Sequence, residues 1–147
     1  MTVRSFRNNN PGNLEAGDHW QGLMAVSTMT PQQRAETRFA VFSSPKWGFR
    51  ALAVILLNYQ HKHGINTIRG IVERFAPANE NNTAAYISAI SQGIKRGPDE
   101  PLDFTNPATL QGFCKAIAIH EAGSWLFLDD DLVAGVRMAE NGELLIS

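Results

Sequence analysis

Asn106–Trp125, NPATLQGFCKAIAIHEAGSW, is the stretch that decides how the chain folds. Asn106 suits an N-cap, and Pro107 suits the first helical turn, where a missing N–H costs nothing. Leu110, Phe113, Cys114, Ile117 and Ala118 recur at helical spacing, which predicts a helix over 106–122 with one buried face. Gly123 ends it, in the left-handed conformation that glycine tolerates best. Glu121 then falls in the last turn, next to His120 and just before Trp125. At that place the negative end of the helix dipole and the apolar neighbours both oppose ionisation. A carboxyl so placed is suited to hold a proton, as a general acid must. Taken alone, a glutamate at a helix end is more often a solvated surface residue.

Upstream, residues 7–17, RNNNPGNLEAG, are dense in Asn, Gly and Pro, a composition that makes tight turns rather than regular structure. His19–Met24 reads as a short strand, and Thr37–Phe42 (TRFAVF) as the best strand in the chain, giving a small hairpin or three-stranded lobe. Ser43 or Ser44 caps a helix that has Pro45 in its first turn and runs to Gly64; its apolar face holds Leu52, Ile55, Leu56 and Tyr59. Asn66 or Thr67 starts a shorter helix stopped at Pro77, and another begins near Asn82 and carries Tyr86, Ile87 and Ile90 before Gly93. Lys95–Thr105 is a loop. A last helix spans Asp129–Glu140, and the pairs Asn81–Asn82 and Asp129–Asp131 read as helix caps.

With 147 residues the chain has room for one domain and a real core. Hydrophobic residues at 44% and charged ones at 18% describe a globular chain. A net charge of −1 argues against nucleic acid as a partner. The single cysteine, Cys114, excludes an internal disulfide framework and reads as a small buried hydrophobe. No stretch approaches membrane-spanning length, and the N-terminus lacks the apolar segment of a standard signal peptide, so the chain is expected to be made in the cytoplasm. No metal or other cofactor is implied. His61 and His63 lie two apart on a helix and face different ways, and HEAGS lacks the second histidine of a zinc-protease motif. Cys114 and His120 are six apart, again off one face, and no nucleophile elbow is present.

Several segments resemble the lysozyme-like superfamily of peptidoglycan-cleaving enzymes. NNNPGNLEAGDHWQG is similar to the NN-(L/P)-FGI-K…W-x-G segment of flagellar and autolysin-type glucosaminidases. RFAVFSSPKWGFRALAVILLNY resembles the same group's FR-x-Y-S…GF-x-x-Y-x-x-LL continuation. ENNTAAYISAI is similar to the ETR-x-YV-x-x-VL segment of lytic transglycosylases, whose tyrosine lies close to the catalytic glutamate. AIAIHEAGSW resembles the helix end A-x-x-x-ES-G that bears that glutamate, and small phage virion proteins opening with RNNNPGN and carrying a HE-x-G helix are similar too. The resemblance implies a mainly α (α+β) fold: one lysozyme-like helical domain over 1–147 with a small N-terminal β-hairpin lobe. In those enzymes the glutamate helix precedes the other segments, whereas here it follows them. A circular permutation reconciles the two orders, because domain termini often lie close together at the surface. It requires the NNNPGN turn to pack against the C-terminal end of the 106–122 helix.

The implied activity is cleavage of β-1,4 glycosidic bonds in peptidoglycan glycan strands, by a muramidase or a lytic transglycosylase. Glu121 would give the proton to the leaving oxygen, and Tyr86 would orient it or contact the sugar, unless Tyr86 merely fills the core. Glu36 in the expected hairpin or Asp18 in the first loop would activate water, although a transglycosylase needs no second carboxylate. Asn10 and Asn13 would shape the turn and reach the sugar, with Gly12 between them. Trp20 and Trp125 would stack on pyranose faces, whereas Trp47 reads as core. Glu15 stands where a lysine or arginine is expected and receives no role. The partners implied are glycan strands and, for a virion-carried, endolysin or delivered protein acting on the cell wall, virion or secretion-apparatus proteins. The alternative is a catalytically silent virion or wall-binding module on the same fold, since a fold does not guarantee a site.

Overall fold

The computed structural model describes residues 2–76 and 82–141. Seven α-helices follow one another among them: α1 (Arg4–Arg7), α2 (Pro31–Arg34), α3 (Pro45–His63), α4 (Ile68–Phe75), α5 (Thr83–Ile94), α6 (Pro107–Ala122) and α7 (Asp129–Glu140). Their boundaries follow from local chemistry. Asn106 Oδ1 accepts from Ala108 N at 3.0 Å, Asn82 Oδ1 from Ala85 N at 3.1 Å and Thr67 Oγ1 from Gly70 N at 3.1 Å, each satisfying an otherwise orphaned N–H. Gly64 and Gly123 close α3 and α6 with φ of 65° and 89°. Helix α5 runs through Gly93 and ends at Lys95, itself left-handed at φ 58°. The aspartates at 129–131 do not cap α7: Leu128 is its N-cap, and they sit in its first turn, where they favour the dipole. Pro77 and Asn81 lie outside the described residues.

Helix α3 is the spine, with Phe49, Ala51, Leu52, Ala53 and Leu56 fully buried. Helix α7 lies along it, and α6 packs on α3, α5 and α7. The α3–α7 approach depends on Gly135, where a Cβ would stand 2.6 Å from that of Phe49 and 2.5 Å from Lys46 O. The face predicted for α6 is buried: Leu110, Phe113, Cys114, Ile117 and Ala118 are all within 1% of full burial. Burial pushes the Cys114 thiol far up, so it is an inert core group. No helix among the described residues is long and apolar enough to cross a membrane.

The mainly helical class is therefore seen, but the N-terminal β-hairpin is not. Thr37–Phe42 is extended, yet it meets its neighbours only through isolated bridges, Glu15 with Phe39 and Leu23 with Phe42. The reason lies in its partners. Ala40 N donates to Leu14 O and Phe42 N to Asn8 O on one edge, and Val41 O accepts from Met24 N on the other, each at 2.9 Å, so three short stretches divide the segment's two edges between them. Side-chain amides take further positions of the ladder: Asn9 Nδ2 donates to Phe42 O at 2.8 Å and Asn10 Nδ2 to Ala40 O at 2.9 Å. These side-chain donors take carbonyls that a neighbouring strand's backbone N–H groups would otherwise pair with. Two short helices, α1 and α2, stand in this region where no helix is predicted. The second is held by a capping box between Thr30 and Gln33.

Candidate active site

Glu121 projects from the last turn of α6, half-buried, at a cleft of about 600 Å³. Each of its oxygens has a donor. Tyr86 Oη donates to Oε2 at 2.7 Å, and Asn13 Nδ2 donates to Oε1 at 3.0 Å. Tyr86 reaches it from α5, which packs directly on α6. Its ring is 1% exposed and stacks on His120 with centroids 3.9 Å apart. Burial, followed by the charge of Glu121 and the bond to it, pushes the phenol far above its ordinary range, so Tyr86 keeps its proton and donates it to the carboxyl in a hydrogen bond.

Asn13 reaches Glu121 from the Asn-rich turn. It holds a left-handed backbone at φ 48°, which asparagine tolerates better than most residues. The turn is anchored by Asn10, which is fully buried: its Oδ1 accepts from Leu14 N and its Nδ2 donates to Leu14 O, both at 2.9 Å. It also rests on α3, since a Cβ at Gly48 would come within 2.2 Å of Asn9 O. The turn thus packs against the C-terminal end of α6.

Among the expected sugar-contacting residues, Asn13, Asp18 and Trp20 line the cleft with Glu121. Asp18 is exposed and makes no side-chain ion pair with any described residue. Trp20 is half-buried, one side against the core and the other on the cleft. Asn10 is the turn's internal clasp, and full burial removes it from ligand contact. Trp125 does not line the cleft: it sits in an aromatic cluster, 6.0 Å from both Phe49 and Phe127, with Lys115 Nζ 4.7 Å over its ring. Trp47 packs beneath Gly22, where a Cβ would meet its ring at 2.1 Å.

Glu36 is placed differently from the expected water-activating role. Its side chain is 2% exposed and takes hydrogen bonds from Arg4, Arg7 and Asn8 and from the backbone N–H groups of Arg38 and Phe39. These donors, Arg4 first, hold the carboxyl far below its usual range against the opposing effect of burial. A carboxylate so saturated has little basicity left to take a proton, and Glu36 does not line the cleft. It ties α1 to the extended segment.

The cleft also holds side chains that the sequence does not single out. Arg38 pairs with Glu15 at 2.9 Å, and its guanidinium lies 5.0 Å over the Phe39 ring. Arg74 lies 5.5 Å over the Tyr59 ring. All but Tyr59 line the cleft, and no local pattern marks them, because the Arg38–Glu15 and Arg74–Tyr59 pairings each join separate segments.

No family profile matches the chain. It is 33% identical over 139 residues to Protein P5 of Pseudoalteromonas phage PM2, an alignment covering 90% of this chain and 79% of the phage protein.

Proposed function

This chain belongs to the family of Protein P5 of Pseudoalteromonas phage PM2, and we propose that it cleaves the β-1,4-linked glycan strands of peptidoglycan on a lysozyme-like helical fold. One observation carries the proposal. Residues 13, 86 and 121 come from three segments that each resemble a part of one enzyme superfamily, and they meet on a single carboxyl group at the wall of a cleft. The chain order differs from that superfamily's, so the convergence is not a by-product of similar sequence order.

In this mechanism Glu121 delivers its proton to the oxygen leaving the scissile bond, as positive charge develops on the sugar ring. Tyr86 and Asn13 fix the carboxyl plane, and as proton transfer leaves a carboxylate their donors face the new charge. Trp20 offers a ring face to a pyranose. Asp18 is the cleft carboxylate available to activate water, whereas a transglycosylase would use the substrate's own 6-hydroxyl. The relationship to a phage protein supports a virion-carried or endolysin role acting on the cell wall.

The test is mass spectrometry of fragments released from purified sacculi. Anhydro-muropeptides identify a transglycosylase, reducing muramic ends a muramidase, and reducing glucosamine ends a glucosaminidase. Retention on the sacculi with no fragment released would overturn the enzymatic proposal in favour of a silent wall-binding module.

A further inference from the structure

We infer that Arg74 is a specificity-determining residue that receives a carboxylate carried by the glycan strand, so that the cleft prefers strands bearing peptide stems over bare polysaccharide. The inference rests on the proposed glycan substrate and names which form of it the cleft takes.

The charges lining the cleft are unequally matched. Arg38 is engaged by Glu15 at 2.9 Å. Arg74 shares the same cleft wall, yet among the described residues no carboxylate lies within ion-pair distance of its guanidinium. Other arginines show what this chain does with a guanidinium beside an acid: Arg4 and Arg7 close on Glu36, Arg69 on Asp99 at 2.8 Å and Arg96 on Glu100 at 3.1 Å. Arg74 has Glu73 as its chain neighbour but does not turn to it. It is instead posted over the half-buried Tyr59 ring of α3, with centroid distance 5.5 Å, a contact that restrains the side chain while leaving its N–H fork open. A planar fork held at a cleft wall matches a carboxylate bidentately.

In an intact peptidoglycan strand the sugar rings are neutral, each lactyl carboxyl is tied up as the amide that holds a peptide stem, and the free carboxylates belong to the stems. A cation on the cleft wall gains nothing from a strand that has lost its stems and whose freed lactyl carboxyls have been amidated. Against a stem it gains a charge-assisted pair that weakens with salt. Tyr59 acts here as a positioning residue.

The experiment uses the full-length protein with Glu121→Gln, so that strands are bound without being cut. It titrates soluble strands with stems intact and strands stripped by an amidase and then amidated at the freed lactyl carboxyls, so that they carry no carboxylate. Expected is tighter binding to intact strands, roughly tenfold lost on adding Arg74→Gln, with binding to stripped strands unchanged and Arg74→Lys intermediate; one factor of ten corresponds to about 1.4 kcal/mol. The intact-strand advantage should also shrink between low and high salt. Equal affinity of the Arg74-intact protein for both strands, or equal loss on both with Arg74→Gln, overturns the inference. Turnover of the unsubstituted protein on the same strands is read separately. Selective binding without cleavage leaves Arg74 its role and removes the glycosidase, and binding to neither strand overturns both.

Discussion

Tyr86 and Glu121 stand 35 positions apart in the chain and are joined by a 2.7 Å hydrogen bond from a phenol that is 1% exposed to a carboxyl that opens on a cleft. The phenol is fixed by the α5–α6 packing and by the His120 ring behind it. Any movement of α5 against α6 would therefore be felt at the carboxyl.

Tyr86→Phe removes that donor and leaves the ring. Stability should fall by about 1–2 kcal/mol, the usual worth of a hydrogen bond to an ionisable partner. Release of glycan fragments should fall by a larger factor, at least about tenfold, because the carboxyl loses half of its support. Thermal melts and fragment release on the same preparation check this. An unchanged rate in a folded variant would return Tyr86 to the core alone.

Glu121→Gln should abolish fragment release, since an amide has no proton to give. The fold should lose only about 1 kcal/mol, because the amide still accepts one bond and the Tyr86 hydroxyl can turn to accept another. Sacculus digestion and urea titration are the readouts. Full activity would place the proton donor elsewhere.

Glu36→Gln should act on stability, not on chemistry at the cleft. The folded carboxyl is held below its unfolded value, so its contribution is complete above about pH 4.3 and is lost as pH falls further. The substitution should cost about 2 kcal/mol at pH 7; Arg4 is 46% exposed, so the figure is below that of a fully buried pair. The gap from the parent should be narrower at about pH 3 than at pH 7, and it closes only as pH falls through the folded carboxyl's own depressed value. Urea titrations at both pH values measure it, and an equal gap at each would contradict the cage.

Gly48→Ala puts a methyl group 2.2 Å from Asn9 O and 2.6 Å from Pro11 Cδ. Helix α3 and the Asn-rich turn must then part, at a cost of about 2–3 kcal/mol. Because Asn13 rides on that turn, fragment release should drop in any variant that still folds. Calorimetry with the digestion assay tests the link, and a loss of stability without loss of rate would separate the two.

The helices were largely legible because their signals are local. Asn106–Pro107 and Gly123 bracket α6, Pro45 and Gly64 bracket α3, and Asp129–Glu140 needs only its own pattern. The missing hairpin was not legible. TRFAVF has strand composition, but whether it finds a strand partner depends on Asn9 and Asn10, 30 or more residues away, turning their amides onto its carbonyls. The same distance hid the fate of Glu36, which is decided by Arg4 and Arg7 on a four-residue helix that no periodicity reveals. Thr30 and Gln33 do carry the spacing of a capping box, so α2 has a local signal in the sequence. Within the site, Glu121 stands out by its position in its own helix, whereas Arg74 becomes visible only when α4, α3 and the cleft wall are seen together.

The bond between Asn13 and Glu121 spans 108 positions. Closing so long a loop comes late relative to local helix formation, since its entropy must be lost before the contact rewards it. While residue 121 is still inside the ribosome, the Asn-rich turn has nothing to hold, and the pocket does not yet exist. Competence at this centre is thus reserved for chains translated well past their midpoint, and a prematurely terminated product would carry the turn, the spine helix and the tyrosine with no acid to aim.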